Sequence, residues 1–215
     1  MILIGYFCIF YLIWMLFEFW GKSWINYVVP NPYISQLMKS GLIKNLVWTV
    51  PAIILIRRFE NEGIYISLKE MFFTKIKLID YIPIFILFTI YILISDYVIE
   101  GKIAINPDFG WNEIIIVIFV GLTEEIVFRG FLLNCMLNEE RKWSSIIINA
   151  LLFLSIHFPK WIAEGTIVSI LLSFSFVSVL VLSVIFSWTF IKSRNILIPI
   201  CLHMYWDLLM FGLMK

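Results

Sequence analysis

Seven long apolar runs, separated by short stretches that carry most of the charge, constrain this chain more than anything else in it. A helix rises about 1.5 Å per residue, so about 20 apolar residues cross the hydrocarbon core of a bilayer. The runs cover roughly 2–20, 41–56, 79–99, 111–137, 143–157, 166–191 and 196–214. The fifth is short and the sixth long enough to be tilted or broken, so six or eight crossings are also compatible with them. Leu, Ile and Phe follow one another without the polar–apolar alternation of a barrel strand, which predicts helices. The expected fold is all-α: a polytopic transmembrane helical bundle, one integral-membrane domain over residues 1–215. With 62% of residues hydrophobic and 14% charged, the chain lacks the polar surface to clothe a water-soluble globule. Its 16 basic residues are balanced by 15 acidic ones and form no tract, so the partner expected is the lipid bilayer and not nucleic acid.

The first run opens Met-Ile-Leu without a basic segment and reaches Phe19-Trp20 without a small-residue cleavage site. It reads as a retained helix, not a removed signal peptide. Arg57, Arg58, Lys69, Lys75, Lys77, Arg141, Lys142, Lys192 and Arg194 fall in loops of one parity, against Lys22, Lys39, Lys44, Lys102, Lys160 and Lys215 in the other. That bias predicts a cytoplasmic N-terminus. The Ile-, Lys- and Asn-rich composition points to a bacterial plasma membrane. Ser67-Leu68-Lys69-Glu70 has the pattern of a capping box and predicts a short helix on the basic surface, a solvated connector being the alternative. Cys8, Cys135 and Cys201 lie far apart in apolar runs and read as reduced packing residues. No internal repeat or Gly/Ser/Pro linker divides the chain, and oligomeric state is unreadable from it.

An ionisable group in the bilayer costs roughly 2.5–3.5 kcal/mol on insertion scales, so the charges deep in a run are the functional candidates. Glu18, Asp80, Asp96 and Glu113 lie near run ends, where interfacial solvation accounts for them. Six groups do not escape so easily: Glu124, Glu125 and Arg129 in the fourth run, His157 at the end of the fifth, and His203 and Asp207 in the seventh. The i,i+4 spacing puts Glu125 and Arg129 on one helix face as an ion pair and turns Glu124 about 100° away, as the unpaired carboxylate. Counted along the helices, Glu124 and His157 lie roughly 21 Å from the 138–143 loop, and His203 and Asp207 roughly 11 and 17 Å from Ile196, so the four can converge. With neutral histidines the six groups sum to −2. Such a cluster is stabilised by a proton, as in general acid/base chemistry, or by a divalent cation held on imidazole and carboxylate. Phe128 and Phe153 read as core packing, Asn149 as interhelical glue. Gly121 and Gly130 let a neighbour approach.

These residues carry a resemblance. Glu124-Glu125-Ile126-Val127-Phe128-Arg129 is similar to the E-E-x-x-x-R motif of the CPBP intramembrane proteases (CAAX protease and bacteriocin-processing, or Abi), which include type II CAAX prenyl endopeptidases. Phe153-Leu154-Ser155-Ile156-His157 matches their F-x-x-x-H, and His203-Met204-Tyr205-Trp206-Asp207 their H-x-x-x-N/D. Three motifs in order on successive apolar helices are specific. They place a catalytic core at residues 111–210 and leave residues 1–110 as helices of generic membrane character. The resemblance implies an intramembrane endopeptidase acting on a membrane peptide or protein substrate. Glu124 would be the general base, His157 would hold the attacking water, and His203 with Asp207 would steady the oxyanion. Glu125 and Arg129 would be the structural ion pair. In a metalloprotease version His157, His203 and Asp207 would hold Zn²⁺. A metal-free glutamate mechanism is equally compatible, and H-E-x-x-H is absent. Asp207 stands where many relatives carry Asn, and an acid donates a hydrogen bond only when protonated. The alternative is a non-catalytic bacteriocin-immunity or peptide-binding protein on the same scaffold. A proton-coupled transporter is a third reading, against which the absence of repeats counts.

Overall fold

The computed structural model describes residues 2–214; Met1 and Lys215, the latter counted above among the basic residues of one face, lie outside them. Every element among the described residues is helical. Helix α1 spans Leu3–Val28 and α2 Pro32–Phe59. The short α3, Leu68–Phe73, precedes α4, Leu78–Glu100. Helix α5 runs over residues 111–136. Then follow α6 Lys142–Ala163, the short α7 Ile167–Leu172, α8 Phe176–Ser193 and α9 Leu197–Leu213. Helices α1, α2, α4, α6 and α8 are long and apolar enough to cross a membrane. The charge-bearing α5 and the 17-residue α9 pack among them, completing the seven apolar helices of a polytopic bundle.

Local chemistry sets the boundaries. The Asn31 carboxamide accepts from the Tyr33 and Ile34 N–H groups, and Pro32 occupies the first turn of α2. Gly101, at φ 71°, closes α4 in the left-handed conformation that costs glycine least. The Glu113 carboxylate takes the Gly110 N–H at 2.9 Å, so this expected interfacial charge is a cap of α5. The Ser67 hydroxyl accepts from the Glu70 N–H, which gives half of the expected capping box. The Glu70 carboxylate completes a contact elsewhere, pairing with Arg194 at the α8–α9 corner. That guanidinium holds the Glu70 carboxyl below the usual carboxylate range.

Three run boundaries change. The second helix begins at Pro32, nine residues before the apolar run, because Lys39 and Lys44 turn inward and do not mark a loop. The fifth run continues to Ala163, past a bend at Ile156. The sixth breaks at residues 173–175, where the Ser173 and Ser175 hydroxyls bond each other at 2.7 Å and Phe174 adopts φ 56°. Serine side chains there compete with the helical ladder. The cysteines are free, but Cys8 and Cys201 lie on the outer surface and do not pack within.

Successive long helices alternate in direction. Leu3, Phe59, Phe131 and Cys135 line one crevice, so the start of α1 and the ends of α2 and α5 share a face. The Asn134 side chain bridges to the Ile66 backbone at 2.8 Å in both directions, and the Ile196 N–H reaches Met71 O at 2.8 Å. The basic loops therefore gather on this face. On the other, Asn106 N–H meets Gly212 O at 2.8 Å, and Ser35 meets Asn26 at 2.7 Å.

Candidate active site

On the half of the bundle away from the basic loops, a cavity of about 360 Å³ is walled by α1, α2, α5, α6 and α9. All four residues expected to converge line it: Glu124 from α5, His157 from α6, His203 and Asp207 from α9. Glu164, Gln36 and Lys22 stand toward its mouth, and Glu124 is buried at 6% exposure. The convergence has a local cause. A Cβ on Gly121 would stand 2.7 Å from Met204 Cγ and 3.3 Å from Met204 N, so only glycine lets α5 lie this close to α9. His203 is the neighbour of Met204 in sequence and is carried to the wall by the same approach.

Glu125 and Arg129 sit behind the cavity. Arg129 is completely buried, its Nη1 donating to Glu125 Oε1 at 2.9 Å, its Nη2 to Ser183 Oγ at 2.7 Å and Ser183 O at 3.1 Å. The guanidinium carbon lies 4.4 Å from the Phe153 ring centre and 5.4 Å from that of Phe186, where an ammonium would lose both fork and stacking. Phe128 and Phe153 are core residues, as read from the sequence. Asn149 donates to Phe128 O at 2.8 Å, the interhelical role expected of it.

The pair reaches further than expected. His203 Nδ1 lies 2.8 Å from the same Glu125 Oε1. A carboxylate only accepts, so Nδ1 carries a proton and Nε2 is turned toward Asp207 Oδ2, 3.7 Å away. The ring stacks on Phe186 at 5.1 Å and 20°. In the same way His157 Nδ1 donates to Phe153 O at 2.9 Å, which leaves its Nε2 as a lone-pair acceptor. Both histidines are thus oriented by their Nδ1 partners.

Glu124 is not the unpaired carboxylate expected of it. Lys44 Nζ lies 3.1 Å from its Oε1, with each side chain at 8% exposure. The sequence held the signal, since Lys44 falls inside the run 41–56 and yet was counted with the loops. Glu18, expected at the interface, is also buried and lines the cavity, paired with Lys22 at 2.6 Å. Asp96, expected there too, is 2% exposed on α4, away from this site. With Lys44 added, two positive groups stand against three carboxylates, so the cluster's formal charge falls from −2 to −1.

A metal fits poorly. Among the described residues no three His, Cys, Asp or Glu side chains gather around one point, and His157, His203 and Asp207 are no exception. The Lys44 ammonium stands beside Glu124, where a cation's own charge would be repelled. This lysine also halves the −2 charge that a divalent cation would have balanced.

Helices α1, α2 and α5 share one irregularity. At Phe17–Gly21, Leu37–Ile43, Asn45–Thr49 and Ile126–Leu133 the backbone winds wider, bonding across five residues, as from Lys44 N–H to Lys39 O. Such turns recur at functional sites. Here they bear or flank Glu18, Lys39, Ser40, Lys44 and Arg129.

Compared with known families, residues 106–209 match the model of the Rce1-like type II CAAX prenyl endopeptidases, the same stretch on which the three motifs fall. Neither the curated proteins nor the solved structures contain a significant match to the chain.

Proposed function

We infer, from the membership of residues 106–209 in the Rce1-like type II CAAX prenyl endopeptidase family, that this membrane chain hydrolyses a peptide bond of a membrane-associated peptide or protein with Glu124 as the base. The observation that carries the reading is the common cavity inside the bundle. Glu124, His157, His203 and Asp207 reach it from three helices, and no hydrogen bond engages Glu124 Oε2 among the described residues.

Roles follow from hydrogen-bonding capacity. Water entering the cavity gives one proton to Glu124 Oε2 and is held through its other proton by His157 Nε2, the lone pair left by the bond to Phe153 O. Its oxygen attacks the scissile carbonyl carbon. The carbonyl oxygen becomes an oxyanion beside His203 Nε2 and Asp207, which donate to it when protonated there. Collapse of the tetrahedral intermediate breaks the C–N bond, and Glu124 returns its proton to the leaving amine. Glu125 and Arg129 take no part in proton transfer and fix the His203 ring.

The test is proteolysis in liposomes against a library of membrane peptides, with and without chelator. Glu124→Gln keeps the volume and the contact to Lys44 but accepts no proton, so cleavage should fall by about 10²–10⁴-fold while the melting curve persists. The wild type should cleave equally with chelator present. A Gln variant that cleaves like the wild type overturns the assignment, and chelator-sensitive cleavage restored by zinc overturns the metal-free route.

A further inference from the structure

We propose that Lys44 is a positioning residue of this active site, holding Glu124 as an oriented carboxylate, so that the N-terminal helices complete a catalytic centre that residues 106–209 do not complete alone. The inference rests on Glu124 being the base. Lys44 lies on α2, outside the family-matched stretch and 80 residues from Glu124, yet it is the only cation within ion-pair distance of that carboxylate among the described residues.

Three observations carry it. The first is division of labour between oxygens. Lys44 engages Oε1 and leaves Oε2 toward the cavity, so the ammonium fixes which oxygen meets water and how it is aimed. The second is a cage. Lys44 Nζ stands 4.7 Å from the ring centres of both Trp14 and Trp48, whose faces attract a cation and exclude water. Trp14 is itself fixed by its indole N–H, which donates to Ile156 O at 2.8 Å, one residue before His157. One indole thus ties the position of Lys44 to that of the water-holding histidine. The third is cost. A buried ion pair is a poor source of stability beside a hydrophobic pair of the same volume. A pin between α2 and α5 would be served by leucines. An ammonium is needed where the partner must remain a charged base.

The same backbone device aims the lysine. The wider winding of Leu37–Ile43 ends at Lys44 N–H bonding Lys39 O, and that of Asn45–Thr49 begins directly after. Lys44 therefore sits between two turns that rotate the face of α2, and it points to α5 while Lys39 and Ser40 also line the cavity.

The experiment uses full-length protein in liposomes and a peptide that the wild type cleaves and Glu124→Gln does not. That control separates the two claims, because a cleaving Gln variant sinks the base assignment and this proposal with it. Given a dead Gln variant, Lys44→Met and Lys44→Gln should each lower kcat by about 10²-fold and leave KM within about twofold, since the lost interaction orients a base and binds no substrate. In Lys44→Ala, which empties the space between Trp14 and Trp48, ethylammonium should then restore roughly tenfold of the loss, a recovery that a purely structural lysine does not show. A kcat within about threefold of wild type in either folded variant overturns the proposal. So does failure of the amine to recover activity in Lys44→Ala.

Discussion

Exchanging one oxygen of Asp207 for an amide nitrogen separates two roles for that side chain. If it helps hold the oxyanion, it must donate a hydrogen, which an amide does unconditionally and a carboxyl only when protonated. Asp207→Asn should therefore keep kcat/KM within about threefold of wild type, whereas Asp207→Ala should lose about 10²–10³-fold, the usual cost of one oxyanion donor. Steady-state kinetics on the same peptide decides it. An Asn variant as impaired as Ala means that the carboxylate itself is required. At this scale the sequence was legible where both partners lie deep in one apolar run. Glu125 with Arg129 follows from 3.6 residues per turn, and the structure finds them 2.9 Å apart. Glu125 with His203 and Lys44 with Glu124 lie 78 and 80 residues apart, and no periodicity within one helix relates them. Charges near run ends misled for a related reason. Depth along a helix is countable, but which face is covered by a neighbour is not, so Glu18 and Asp96 were placed in the interface and are buried.

Helices α5 and α9 meet through Gly121, and that contact makes a prediction opposite to the usual glycine rule. Replacing a helical glycine by alanine ordinarily stabilises by up to about 1 kcal/mol, through lost freedom of the unfolded chain. Gly130 obeys it: a new Cβ would meet Met71 Sδ at 3.4 Å and Ile56 Cδ1 at 3.7 Å, ordinary contacts. At Gly121 the Cβ would stand 2.7 Å from Met204 Cγ and 3.3 Å from Met204 N, so α9 must recede or its side chain repack. Gly121→Ala should cost about 1–3 kcal/mol and depress cleavage by displacing His203, while Gly130→Ala leaves both unchanged or improved. Melting temperatures and cleavage rates of the two variants are the check, and equal behaviour would show that the α5–α9 approach is slack. Both glycines were read as points of approach, and the sequence could not rank them. Their difference lies in the partner helix. The boundaries behave alike. Asn31-Pro32 marks the start of α2 in local chemistry, but hydropathy hid it, because Lys44 is buried and the half-buried Lys39 also lines the cavity instead of marking a loop. The wider turns at Leu37–Ile43 and Ile126–Leu133 share no composition that would mark them in the sequence.

The whole molecule has an electrostatic polarity that the residue count understated. Of the six basic residues expected opposite the basic loops, Lys22, Lys39, Lys44 and Lys160 line the cavity, the first, third and fourth paired with Glu18, Glu124 and Glu164. They belong to a site and carry little information about translocation. Among the described residues only Lys102 then remains against nine, a sharper form of the bias from which a cytoplasmic N-terminus is expected. The fold class was legible because a bilayer admits few solutions for such runs. The reading of residues 1–110 as generic helices was too coarse, since α1 and α2 supply two walls of the cavity. The polarity and the cavity together make the last prediction. The mouth, at Gln36, Glu164 and Lys22, lies at the ends of helices opposite the basic loops, so site and basic face should lie on opposite sides of the membrane. With the native cysteines replaced, single cysteines at Lys102 and Glu164 should react with an impermeant maleimide on intact cells, and those at Lys69 and Lys142 only after permeabilisation. Reversed labelling would turn the mouth to the cytoplasm. Labelling of all four from one side would break the seven-helix path. Were that pattern found, the cavity mouth between the ends of α1, α2 and α6 would admit a peptide bond from the non-cytoplasmic side. The chain would then act on membrane-attached peptides displayed at the outer surface and not on tails presented from the cytoplasm.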